Sequence, residues 1–530
     1  MERNLFVKQA VILASAGLIA RLLGFIYRMP LMEIIGDSGT GIYGAGYTIY
    51  NFLLILSSAG LPAAISKMVS ERRILGQYEN AHKVFRVALR VALISGSVAA
   101  CVLWLGAEYI ANLVHSPKSY YAILTLTPTV FIVAILSVFR GYFQGMQNTI
   151  PTALSQIIEQ LFNAVFTVIL AYIFVKNSLE LGVAGATAAT GIGAFVGLLV
   201  MIGIYTLAKP VIHRKIKRDK TKVVQSTSAI TKELLKTAVP IIAGTAIFSI
   251  SGIIDTRMVM ELLKVGGATQ DQAYELFGLF SGKYILLSTL PVAIATSLAT
   301  AVVPDIAASR IENDMEAVRY KINLGLRSTM MFSIPAAVGL GVLGEQILIM
   351  LFPSYPEGGA LLSVGALSII FLAISQIATG MLQGLGMVGV PVIAAVCGAL
   401  IKIPLNYYLV PIPEINVIGA VLSTTACYLV AASINLTVLS LKMRIMPDFI
   451  GVFVKPLFAS ILMGVAAYAS YAAFYIFIQN NTVGVILSIL VGMIVYFVFM
   501  LIFRGIEGED IRMLPFGKKI EAFMKTYNLT

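Results

Sequence analysis

Charge is scarce in this chain: only 12% of its 530 residues are charged, against 58% hydrophobic, and the mean hydropathy is +0.90. That balance excludes an ordinary soluble globular protein, in which about a quarter of residues are charged. Cysteine is nearly absent too. Cys101, Cys397 and Cys427 all sit in apolar runs, which excludes a disulfide framework. His82, His115 and His213 are scattered among separate loops and span ends, so the sequence gathers no metal cluster. There is no G-x-x-x-x-G-K-[ST] loop to hold ATP, and neither HExxH nor G-x-S-x-G occurs. GLGVLG at 339–344 and GLGMVG at 384–389 match a dinucleotide-binding pattern by letter, yet each lies in or at the end of an apolar span with no strand before it, so helix packing or a tight loop is the reading. The expectation is a protein that is not an enzyme, needs no ATP, metal or cofactor, and draws any work from a sodium or proton gradient, the membrane potential or cargo flux.

What the chain has in plenty is apolar runs long enough to cross ~30 Å of hydrocarbon, which takes about 20 helical residues. Fourteen occur, the first centred near Ile19 and the last near Leu490. In lipid the backbone must satisfy its own hydrogen bonds, so these runs predict an all-α integral membrane protein with fourteen transmembrane helices. Ala14-Ser15-Ala16 resembles a signal-cleavage site, but the apolar run continues past it and is expected to remain as the first span. The net charge of +12 invites a nucleic-acid partner, and its distribution argues against one. The loops around 66–83, 208–232, 305–323 and 442–455 hold eighteen Lys or Arg, whereas the loops between them hold Lys118, Lys176 and Lys264. This asymmetry predicts a multi-pass membrane protein with both termini cytoplasmic.

An internal repeat organises the spans. RMPLME at 28–33 is echoed by RMVME at 257–261, and LPAAIS at 61–66 by LPVAIA at 290–295. YFQGMQNTIP at 142–151 and GATAAT at 185–190 return as MLQGLGMVGVP at 381–391 and GAVLST at 419–424. A six-helix unit has been duplicated in parallel. The expected organisation is an N-lobe at 1–207, a basic cytoplasmic linker at 208–233, a C-lobe at 234–441, and two further spans with a tail at 442–530. Residues 456–503 contain no charged side chain, which suits lipid-facing helices or a surface for a lipid tail.

Ionisable residues inside spans carry the functional signal. A charge at a helix centre costs ~2.5–3.5 kcal/mol on insertion scales, so it normally faces a water-filled cavity or a partner. Counting ~1.5 Å per residue, Arg21 lies about 16 Å into its span, and Arg28 sits on the same face about 10 Å further along. Lys283 and Lys402 also fall near mid-membrane, Arg257 and Asp255 in the outer third of their span, and Glu159 about a third of the way through its own. Too few anions balance these cations, which points to an anionic ligand. A planar guanidinium pairs well with phosphate oxygens. Arg28 and Arg257 also have the alternative of reaching the outer head groups, and Lys402 that of an internal pair with Asp255 or Glu159.

ARLLGFIYR at 20–28, GLPAAISKMVSE at 60–71, FRGYFQGMQNTIPTA at 139–153 and LPVAIATSLATAVVP at 290–304 resemble the multidrug/oligosaccharidyl-lipid/polysaccharide transporter superfamily over essentially the whole chain. The likeness is to the branch of polysaccharide-biosynthesis proteins, stage V sporulation proteins and lipid II flippases. The resemblance implies a monomer that moves an undecaprenyl-pyrophosphate-linked saccharide, with lipid II favoured, across the bilayer by alternating access. It implies substrate contacts at Arg21, Arg28 and Lys283, with Arg257 assisting, and a tail groove at the last two spans. It also implies ion or charge coupling through Asp255, Asn406 and Thr424, with Glu159 and Lys402 as further charges. Two departures stand out. The arginine spacing in the first span is one residue longer than in Gram-negative lipid II flippases, and Leu54-Ile55 stand where those have basic residues. Rival readings are a carrier of another lipid-linked sugar, a cation-coupled drug antiporter, a polysaccharide polymerase and a scaffold for cell-wall enzymes.

Overall fold

The computed structural model of the chain describes residues 2–217, 219, 221, 225–444 and 448–505. Parts of the basic linker and the tail beyond 505 lie outside the described residues. Helix is the only regular structure in what is described. Before the linker come α1 (Glu2–Ile26), α2 (Arg28–Leu54), α3 (Leu61–Ile74), α4 (Tyr78–Leu113), α5 (Tyr120–Gly145), α6 (Ile150–Phe174) and α7 (Leu179–Lys217). After it come α8 (Thr227–Val265), α9 (Gln270–Gly278), α10 (Ile285–Ile311), α11 (Met315–Leu351), α12 (Gly359–Gly384), α13 (Gly389–Leu409), α14 (Val417–Met443), α15 (Lys455–Ile478) and α16 (Asn481–Ile502).

Twelve stretches among the described residues are long and apolar enough to cross a membrane, two fewer than the sequence count. The other two sequence spans fall in α1, whose apolar part is the short stretch Ser15–Ile26, and in α8. Helix boundaries also depart from a simple hydropathy reading. α1 runs into α2 through Tyr27, whose N–H still donates to the Leu23 carbonyl at 3.2 Å. Gly36 inside α2 then takes φ 66° and ψ −177°, a region that only glycine occupies freely, and turns the chain into the next span. Single π-type turns interrupt three further spans, at Ile55–Ala59, Leu279–Tyr284 and Ile450–Val454.

The helices form two compact units, one of Met1–Lys264 with Ala268–Gly278 and the other of Val265–Gly267 with Leu279–Thr530. Packing therefore divides the chain downstream of the repeat boundary at the linker. The reason lies in α8 and α9. Ile230, Leu234 and Ala238 of α8 share one apolar core with Leu61, Ile65 and Met68 of α3. At the other end α9 packs directly on α2: a methyl on Gly41 would strike the Tyr274 carbonyl, and one on Gly278 the Asp37 carbonyl. Small residues give such backbone contact where lipid offers no hydrophobic drive between helices. α6 and α7 meet in the same way, with Gly193 against the Glu159 carbonyl. In the second unit α10, α11 and α12 bury Ile322, Leu326, Ile369 and Ile377 together, and α15 and α16 pack on each other and on α11.

Candidate functional site

The helix through Tyr27 carries both arginines of ARLLGFIYR. Arg21 is exposed and Arg28 half-buried, and neither belongs to an ion pair among the described residues. The buried Nε of Arg28 has no hydrogen-bond partner. Around its guanidinium stand Tyr27, Tyr43 and Tyr47. Tyr43 and Tyr47 stack with ring centroids 4.9 Å apart. From Tyr47 a polar seam continues inward: its hydroxyl lies 3.2 Å from Thr190 Oγ1, and the Thr167 hydroxyl donates to Asn163 Oδ1 at 3.1 Å. A guanidinium whose buried Nε lacks a partner, beside Tyr27 in an otherwise apolar stretch, is suited to an anion.

Glu159 is not available to balance those cations. Arg140 donates to its carboxylate at 2.6 Å and to Ser155 Oγ at 3.0 Å, and both side chains of the pair are more than four-fifths buried. Arg140 escaped the sequence reading although it stands inside FRGYFQG, because it lies nineteen residues before its partner on the neighbouring helix. The sequence also did not disclose a second pair in this unit. Arg72, 3% exposed, holds Glu233 at 2.6 Å and donates to Gln225 Oε1 at 2.9 Å and to the Met68 carbonyl at 3.0 Å.

Arg257 is exposed and lies 3.8 Å from Glu261, which in turn is 3.3 Å from His115. Depth alone led to a cavity for Lys283, but the structure buries it to 1% exposure. Its ammonium donates to the carbonyls of Tyr355 at 2.5 Å and Glu357 at 3.1 Å and lies 5.6 Å from the Phe352 ring centroid. In this arrangement it braces the loop after α11. Asp255 is half-buried on α8. Lys402 and Asn406 are buried one turn apart on α13, and the buried Thr424 donates its hydroxyl to the Ala420 carbonyl at 2.7 Å. The first unit therefore brings Arg21 and Arg28 onto one helix, while the second holds Lys283, Lys402, Asn406 and Thr424 in its interior. No group of three or more His, Cys, Asp or Glu that could hold a metal ion occurs among the described residues.

The second unit also contains an apolar cavity of about 370 Å³. Leu290 of α10, Pro335 and Gly339 of α11, Met463 of α15, and Ile489 and Gly492 of α16 form its walls. With almost no polar lining it takes hydrocarbon rather than charge. It borders the uncharged stretch at 456–503.

The family model described as "Polysaccharide biosynthesis protein" matches residues 6–310, and the one described as "MatE" matches 240–408. The chain is 26% identical over 523 residues to stage V sporulation protein B of Bacillus subtilis (strain 168), covering 97% of this chain and 98% of the relative. It is 27% identical over 430 residues to the lipid II flippase MurJ of the same organism, 78% of each chain. Among solved structures, lipid II flippase MurJ in an inward closed conformation superposes with a TM-score of 0.69 at 18% identity, over 93% of this chain and 98% of that one. That likeness establishes the fold.

Proposed function

Because the chain belongs to the polysaccharide biosynthesis protein family, a family of multi-pass membrane transporters rather than enzymes, we propose that it flips an undecaprenyl-pyrophosphate-linked saccharide from the inner to the outer leaflet of a bacterial cell membrane by alternating access. Lipid II is the favoured cargo. The observation that carries this reading is that Arg21 and Arg28, in an otherwise apolar stretch, enter no ion pair among the described residues and that the buried Nε of Arg28 has no partner. A pyrophosphate supplies the oxygens those guanidinium groups lack. Arg257 assists at the outer end, and the apolar cavity bordered by α15 and α16 receives part of the polyprenyl tail. A cationic drug would instead want free carboxylates, and Glu159 is already paired with Arg140. The full-length likeness to stage V sporulation protein B keeps a related lipid-linked saccharide as the second reading.

In this reading the twelve apolar stretches together with α1 and α8 make fourteen crossings, with both termini cytoplasmic and the repeat lobes joined by the basic linker. The monomer suffices. Asp255, Asn406 and Thr424 are the residues through which ion coupling would act. Lys402 places a cationic side chain one turn from Asn406 on α13, and the drive is assigned to the membrane potential or to protons. Lys283 serves as a brace in the arrangement described and meets cargo only if the loop at 355–357 releases it.

The test is translocation of defined lipid-linked pyrophosphates in proteoliposomes, with sodium and the membrane potential varied independently. Movement of lipid II without sodium supports the reading. Equal movement of lipids without a pyrophosphate refutes it.

A further inference from the structure

α4 and α7 are longer than a bilayer requires. At ~1.5 Å per residue their 36 and 39 residues span about 54 and 58 Å, against ~30 Å of hydrocarbon. Their surplus turns emerge at the same end of the first unit. There the His82 ring of α4 lies 6.4 Å from both the Tyr205 and the His213 rings of α7.

The outward faces of both helices change character at this end. On α4, Val98 and Ile94 are 58% and 67% exposed, and at the same four-residue interval Arg90 and Arg86 follow, both exposed. On α7, Leu207 and Val211 are 82% and 53% exposed, with Lys209 and Arg214 exposed beside them. Apolar side chains this open belong in hydrocarbon, so Arg90 and Arg86 lie about one and two turns past its edge, at head-group depth.

The cations also converge. Arg86 lies one turn from His82 on α4 and Lys209 one turn from His213 on α7, and those two rings are 6.4 Å apart. Arg86, Arg90, Lys209 and Arg214 enter no ion pair among the described residues. Like charges drawn from two helices onto one spot repel unless an anion lies between them.

We propose that the end of α4 and α7 forms a binding site for an anionic phospholipid of the leaflet facing the basic loops, its acyl chains lying along Ile94, Val98 and Leu207 and its head-group phosphate between Arg86, Arg90 and Lys209. The site does not depend on the cargo assignment. Its occupant is a resident lipid that fixes the depth of the first unit, with each cation contributing about a fivefold gain in affinity.

The test uses full-length protein in detergent, titrated with dioleoylphosphatidylglycerol or dioleoylphosphatidylcholine and read by native mass spectrometry of retained lipid. The wild type is expected to retain phosphatidylglycerol at least tenfold more tightly. The triple variant Arg86→Gln, Arg90→Gln, Lys209→Gln loses that preference, whereas Arg86→Lys with Arg90→Lys keeps it within about threefold. Removing the same charge elsewhere, by Lys67→Gln, Lys232→Gln and Lys442→Gln, leaves it unchanged. Preference retained by the Gln triple, or lost equally in the Lys67 set, overturns the site. So does full competition by inorganic phosphate, or displacement by undecaprenyl pyrophosphate at concentrations where phosphatidylglycerol does not compete. Cargo translocation, measured separately, fails or succeeds on other residues.

Discussion

The first unit and the α15–α16 pair treat charge in opposite ways. The first unit keeps Arg21, Arg28 and the Arg140–Glu159 pair within its spans, despite a cost of ~2.5–3.5 kcal/mol for a charge at a helix centre. Across 456–503 there is no charged side chain, and the cavity beside α15 and α16 is walled by Leu, Met, Ile, Pro and Gly. Both regions meet the same solvent. Charge in the first unit is therefore a retained feature that needs a reason of its own, and its absence from the last helices leaves a surface fit for a hydrocarbon chain. The first region suits an anion and the second a hydrocarbon chain.

The contrast breaks most visibly at Arg140–Glu159. Glu159→Gln leaves a largely buried guanidinium without its anion and is expected to cost about 3 kcal/mol, seen as a lower thermal midpoint in detergent. Arg140→Met with Glu159→Met recovers much of that loss. An unchanged midpoint in the single variant would mean the pair is hydrated and the unit's charges are cheap. Lys283→Met separates brace from binding residue: it strands the Tyr355 and Glu357 carbonyls and is expected to cost about 2 kcal/mol, with transport per folded molecule falling less than twofold. A tenfold fall in transport with full stability would move Lys283 into the cargo site.

These two residues also mark how far the sequence reached. Depth along a helix follows from counting, so the costly positions of Arg21, Lys283 and Glu159 were legible, as were the all-helical class and the repeat. Which atoms meet each charge depends on helix rotation and on distant loops. The Tyr355 and Glu357 carbonyls lie more than seventy residues beyond Lys283, and Arg140 reaches Glu159 from another helix. Nor does hydropathy register the turn at Gly36 or the packing of α8 onto α3, which moved the boundary of the compact units away from the linker.

A smaller effect sharpens the other side of the contrast. A Cβ at Gly339 meets only the Met463 Cε, at 3.9 Å, and Gly339 lines the cavity, so Gly339→Leu occupies part of it. Burying its room is expected to slow a full-length polyprenyl cargo about fivefold, roughly one lost methylene or two of contact, while leaving short-chain analogues unaffected. Equal slowing of both would detach the cavity from the tail.

The smallest effect lies in the linker of the charged unit. The Thr221 hydroxyl, at 2.6 Å, and the backbone N–H groups of Thr221 and Glu79 hold the Asp219 carboxyl below its ordinary range. A carboxylate with a depressed folded-state pKa stabilises above its unfolded value and loses that contribution as pH falls through the folded one. Hydrogen-exchange protection of the Thr221 and Glu79 amides should decline under acid in the wild type, and Asp219→Asn should abolish that dependence. Persistence of the decline in the variant would assign it to another group.

We propose that the arginine face in the first unit binds the cargo's phosphate oxygens. It is tested most directly by leaflet translocation of lipid II in proteoliposomes containing wild type, Arg21→Gln or Arg28→Gln at matched amounts of folded protein. Loss of a charged hydrogen bond predicts about a tenfold slower rate or more in each variant, and less than twofold for Arg257→Gln at the exposed outer end. Wild-type rates in both Arg21→Gln and Arg28→Gln would contradict the account.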